Sequence, residues 1–164
     1  VRRQFPDDPR QPIGPEHING GYTYPCKADT ILIYRAEDAT RVLIHELQHA
    51  FCLDDPKKGV DQMEAETEAW AELWYVALLS KGDSKVLHGL IDRQARWMRT
   101  QNQEVKRWIH DTQSFPWRYT VGKQDVWQRW GLIDPSTPYA PLLTAKRSLR
   151  LTAPVRFGTP SVFL

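Results

Sequence analysis

Residues 42–53 read Val-Leu-Ile-His-Glu-Leu-Gln-His-Ala-Phe-Cys-Leu, and within them His45, Glu46 and His49 form the pattern H-E-x-x-H. No other stretch constrains the chain as much, because the pattern makes chemical sense only on a helix. Positions i and i+4 lie one above the other on one helix face. Two imidazoles so placed can each direct a nitrogen at one metal ion, at the roughly 2.0–2.1 Å that zinc prefers. Glu46 stands about 100° round the helix from His45. That is too far for a third ligand but within reach of a water on the metal, where a general base belongs. Val42, Leu43, Ile44, Leu47, Ala50 and Phe51 surround the motif with apolar groups, which predicts a buried helix over about 38–52. Cys52, three residues after His49, reads as a small buried hydrophobe rather than a ligand.

With 164 residues and 41% hydrophobic content, the chain is expected to form one domain with a real core, residues 1–164. A net charge of +2 with no long run of one sign argues against a nucleic-acid partner and against a basic membrane patch. No apolar run approaches the about 20 residues of a membrane span. The chain starts at Val1 with no Met and no signal-type segment, so it is expected to be part of a larger polypeptide or assembly, and its compartment is not legible. Cys26 and Cys52 could pair, but two cysteines do not make a disulfide framework.

Residues 1–29, rich in Pro, Gly and Asp, read as irregular chain with a turn at Asn19-Gly20-Gly21 and a short extended piece around Tyr22–Tyr24. Thr30–Tyr34 is the clearest strand, short and β-branched. Asp54–Gly59 ends the motif helix. A second helix is expected over about 62–80, opening on Glu64, Glu66, Glu68 and Glu72 and carrying Trp70, Leu73, Trp74, Ala77 and Leu78 at helical spacing. Ser84 should cap a third helical region that runs to about His110, with a break near Thr100–Asn102. One more short helix is expected at Gln124–Trp130. The proline-punctuated tail from Asp134 should wrap the surface or dock on a partner.

A catalytic zinc keeps three protein ligands and one open position, so two histidines call for a third donor. The metzincin extension is absent, since Cys52 stands where its Gly belongs and Asp55 where its third His belongs. Eighteen residues separate His49 from Glu68, which opens Glu68-Ala69-Trp70-Ala71. In this the chain resembles the gluzincin metallopeptidases, whose H-E-x-x-H is followed by a Glu on a second helix; in the aminopeptidase branch the gap is eighteen residues and the Glu opens a run such as E-G-F-A. Glu66-Thr67-Glu68-Ala69 is also similar to the E-x-E-A run of small regulatory zincins that cleave repressors. The likeness covers about residues 30–80, and no G-x-M-E-N motif carries over aminopeptidase specificity.

The resemblance implies an α+β, zincin-like metallopeptidase domain with a small sheet, a mainly helical C-terminal half and one Zn2+ held by His45, His49 and Glu68. Glu46 would be the base, and Glu72 would orient a ligand histidine from behind. Glu64 and Glu66 stay open as competing registers for the third ligand. The implied activity is hydrolysis of peptide bonds in a protein or peptide substrate, with an oxyanion donor among His88, His110, Tyr119 and Tyr139. The alternative is a regulatory or structural zincin-like domain that binds a partner with little or no proteolysis.

Overall fold

The computed structural model describes residues 4–8 and 10–155. In chain order the elements are α1 (Pro15–Ile18), β1 (Gly21–Thr23), β2 (Ile31–Ile33), α2 (Ala39–Ala50), a 3-10 turn (Pro56–Lys58), α3 (Val60–Ser80), α4 (Ser84–Val105), α5 (Phe115–Tyr119), α6 (Val121–Arg129) and a second 3-10 turn (Leu143–Arg147). The chain is α+β, mainly helical with one small sheet among the described residues. None of its described helices is long and apolar enough to cross a membrane.

The two strands pair antiparallel, Tyr22 opposite Leu32, and the Thr23 hydroxyl donates to the Thr30 carbonyl at 2.8 Å to close the hairpin. Gly21 is needed where β1 crosses α2: a Cβ there would stand 2.7 Å from the Leu32 carbonyl oxygen and 3.0 Å from Val42 Cγ1. This close seat puts the hairpin over the start of α2. The N-terminal segment expected to be irregular thus contributes one short helix and one strand.

On α2 and α3 the buried face is the opposite of the one that apolar patterning suggests. The inward face of α2 carries Arg41, Val42, His45, Glu46, His49 and Ala50, while Leu43 and Phe51 are exposed. On α3 the inward residues are Ala65, Thr67, Glu68, Ala69, Ala71, Glu72 and Val76; Trp70, Trp74 and Leu78 are 43, 55 and 62% exposed. Small alanines explain part of this inversion, because they let another helix approach closely. Trp127 of α6 packs there and donates its indole N–H to the Ala69 carbonyl at 3.1 Å. Ion pairs between the two helices explain the rest, since buried charges persist only when paired.

Three other expectations are corrected. Asp83, not Ser84, caps α4, its Oδ1 accepting the N–H groups of Lys85 and Val86. The expected break at Thr100–Asn102 is absent, because these polar residues are buried with partners: Gln101 donates to the carbonyls of Ser148 and Arg150, and Asn102 to Gln124. Those same bonds draw the tail inward. Leu149, Leu151 and Ala153 are core residues, with Trp97 donating to the Arg150 carbonyl and Gln94 accepting the Ala153 N–H, so the tail from 145 to 153 does not wrap the surface. Residues 156–164 of the expected tail lie outside the described residues.

Cys52 is also corrected. It is exposed and bonded to Cys26, with 4.9 Å between the Cα atoms. The backbone N–H groups of both cysteines converge on the His49 carbonyl, at 2.9 and 3.2 Å. The loop after β1 is thereby tied to the last turn of the motif helix.

Candidate metal centre

His45 and His49 share the inward face of α2 one turn apart, as the motif requires, and Arg41 continues that row one turn earlier. Across from them α3 presents Glu64, Glu68 and Glu72, again at four-residue spacing. The two rows face each other rung by rung: Glu64 meets both histidines, and Glu68 meets His45 and Arg41.

The geometry of the first rung is specific. Nε2 of His45 and Nε2 of His49 are 3.0 Å apart. Glu64 puts Oε2 3.4 Å from the former and Oε1 3.5 Å from the latter. Two ligands at zinc-like distances on a tetrahedral centre are separated by about 3.3 Å, so these three groups already stand at the edges of such a polyhedron. Among the described residues, His45, His49 and Glu64 offer ligand atoms within 4.8 Å of one another and could hold a metal ion. Glu64 Oε2 is moreover buried without a hydrogen-bond partner, a carboxylate oxygen that a cation would satisfy. Two imidazole nitrogens and a carboxylate are also a donor set that zinc accepts. The residues fit the ion.

The far side of each imidazole is occupied by a carboxylate. Asp54 Oδ2 lies 2.7 Å from Nδ1 of His49, and Glu68 Oε1 lies 3.2 Å from Nδ1 of His45. The Asp54 bond holds the His49 ring with Nε2 toward the site, whereas Nδ1 of His45 stands near Glu68 without a hydrogen bond. Glu68, the expected third ligand, is therefore not in the group that closes on both Nε2 atoms; it stands behind His45 and pairs with Arg41 Nη1 at 2.5 Å. Glu72 does not reach a histidine either. Its carboxylate accepts from Lys123 at 3.2 Å and Thr152 at 2.9 Å. Glu66 faces away, to Lys58 at 2.6 Å.

The electrostatics follow these contacts. Burial works against the Glu64 and Glu68 carboxylates, but the two histidines hold Glu64, and Arg41 with His45 holds Glu68, well below the usual carboxylate range. Burial likewise opposes the His45 imidazolium, yet the charges of Glu68 and Glu64 outweigh it and raise His45 to about 10 in the metal-free site. Glu46 goes the other way: burial pushes its carboxyl up.

The site opens on a cleft of about 180 Å³ whose walls include Gly21, Tyr22, Val42, Glu46, Met63, Tyr119 and Leu151. Tyr119 is the one of the four proposed oxyanion donors that lines it. His88 is exposed and bonded to its own helix, His110 is exposed beside another groove, and Tyr139 accepts from Gln103. Two residues that touch the histidines or their partners are not singled out by the sequence: Asp54 reads there as part of the helix-ending turn, and Arg41 carries a signal only in its spacing of four and eight from the histidines.

No family model, no curated protein and no solved structure matches the chain.

Proposed function

We propose that this chain is a zinc-dependent peptidase of zincin-like fold, with His45, His49 and Glu64 as the zinc ligands and Glu46 as the general base. The observation that carries this reading is the closure of two Nε2 atoms and one carboxylate to about a tetrahedral edge, with both Nδ1 atoms backed by carboxylates. Glu64 is taken over Glu68 as third ligand because Glu68 is already committed to Nδ1 of His45 and to Arg41.

Zinc, when bound, lowers the pKa of a coordinated water toward about 7 and polarises a substrate carbonyl. Glu46 lines the cleft beside the histidines and accepts the proton of the attacking water. As the C–N bond breaks, it returns that proton to the leaving amine. The Tyr119 phenol, pushed up by burial and by the charge of Glu64, stays protonated and supplies an O–H donor to the developing oxyanion. Gly21, Tyr22 and Thr23 of β1 line the cleft, and a strand edge there suits an extended peptide as substrate.

The test is zinc content by mass spectrometry together with cleavage of a peptide library, with and without a chelator, in wild type and Glu46→Gln. Expected are about one zinc per chain and chelator-sensitive cleavage in wild type, and retained zinc with nearly all turnover lost in Glu46→Gln. Exposure of Trp70, Trp74 and Leu78 on one stripe of α3 favours a second reading, a partner-binding domain with little proteolysis. Zinc uptake with no cleavage of any peptide would select it.

A further inference from the structure

Arg41, 1% exposed, continues the row of the two histidines one turn earlier, and nothing in the chemistry above uses it. Its Nη1 donates to Oε2 of Glu68, and the remaining oxygen of that carboxylate lies 3.2 Å from Nδ1 of His45. Glu68 thus spans a guanidinium on one side and an imidazole on the other, one helical turn from Glu64. Taken alone, Glu68 has the same chemistry as Glu64, sits on the same face and is more deeply buried. What separates them is the partner on Oε2. A carboxylate held at one oxygen by Arg41 has only the other to offer, and that one faces the back of the His45 ring rather than Nε2.

Resting on the zinc reading above, we infer that Arg41 is a positioning residue that selects the metal register: by occupying Oε2 of Glu68 it keeps that carboxylate on Nδ1 of His45, so that Nε2 of His45 and the Glu64 carboxylate are left to bind the ion. Groups that orient a ligand histidine are worth about 10–100-fold in metal affinity, and Arg41 acts through such a group.

Two readouts test this on the whole chain, zinc affinity by competition with a chromophoric chelator and the imidazole N–H proton of His45 by NMR. In wild type the Nδ1 proton, buried 3.2 Å from Glu68, gives a slowly exchanging resonance with and without zinc. R41Q should lose that resonance and bind zinc about 10–100-fold more weakly. R41K should stay near wild type in both, because a single guanidinium nitrogen makes the contact and an ammonium keeps its charge. Since R41Q strands a buried carboxylate and can fail to fold, R41Q/E68Q removes both charges together. It should fold, lack the resonance and keep the weak affinity. Wild-type affinity and an intact resonance in R41Q, or wild-type affinity in R41Q/E68Q, would overturn the inference and leave Arg41 a merely structural cation. If wild type itself takes up no zinc, the metal reading falls, while the resonance in metal-free wild type and R41K against R41Q still decides whether Arg41 orients the ring.

Discussion

Exchanging one carboxylate oxygen for an amide at Glu64 and, separately, at Glu68 separates the two registers. Glu64 faces both Nε2 atoms, at 3.4 and 3.5 Å, so Glu64→Gln removes the only anionic donor of the proposed set with almost no change of shape. Glu68 touches the site only through Nδ1 of His45. Its loss should therefore cost what an orienting group costs, about 10–100-fold in affinity, or about 1.4–2.7 kcal/mol at about 1.4 kcal/mol per tenfold. Glu64→Gln should exceed that upper bound and empty the site at micromolar zinc. Glu66→Gln, on the far side of α3 against Lys58, should leave affinity unchanged. Competition titration with a chromophoric chelator measures all three variants under one set of conditions. Circular dichroism in the absence of metal checks that each is folded. Weaker zinc binding by Glu68→Gln than by Glu64→Gln would refute this assignment. It would restore the eighteen-residue register, with Glu68 as the ligand.

Three further outcomes are expected. Lys123→Met strands Glu72, a fully buried carboxylate whose Oε1 already lacks a partner, and should destabilise the fold by about 3–5 kcal/mol in urea unfolding, with the Lys123→Met/Glu72→Met pair recovering most of the loss; an intact midpoint in the single variant would show that the pair carries no weight. In the metal-free protein His45 is raised from 6.5 to about 10, so its contribution to stability is complete below about pH 6.5 and lost as pH climbs to about 10. Thermal melts in a chelator should fall through that window in wild type and flatten in His45→Gln; an equal fall in both would assign the effect elsewhere. Replacing Cys26 and Cys52 by Ser opens a link of sequence separation 26, worth about 3.5 kcal/mol of unfolded-state entropy, and the melting temperature should drop accordingly; an unchanged value would mean the loop is held by its hydrogen bonds to His49 alone.

Local chemistry was readable wherever it depends on spacing along one element. His45, Glu46 and His49 had to share a helix, and Glu64, Glu68 and Glu72 had to share a face of the next one, because four residues make about one turn. The strand at 31–33 and the helix that became α6 were marked by composition and flanking breakers. The N-cap of α4 was misread by one residue, since Asp83 and Ser84 are both good caps.

What tertiary structure decided is how those faces meet. Periodicity says which residues lie together on a helix but not which stripe turns inward, and in α2 and α3 the inward stripe is the charged one. The aromatic stripe of α3 is left outside because alanines, not tryptophans, fit against α6. The choice among glutamates depends on how far α3 slides along α2, where one turn amounts to about 5.4 Å, and no local pattern encodes that distance. The same holds for Leu151 and Tyr119 in the cleft wall and for Lys123 under Glu72, which lies 51 residues from it in sequence. The sequence by itself determined a helix bearing two metal-competent histidines with a glutamate between them, and a second helix bearing a row of carboxylates. Only the packed structure assigned each carboxylate its partner, because a buried charge takes its role from the group it faces across the interface.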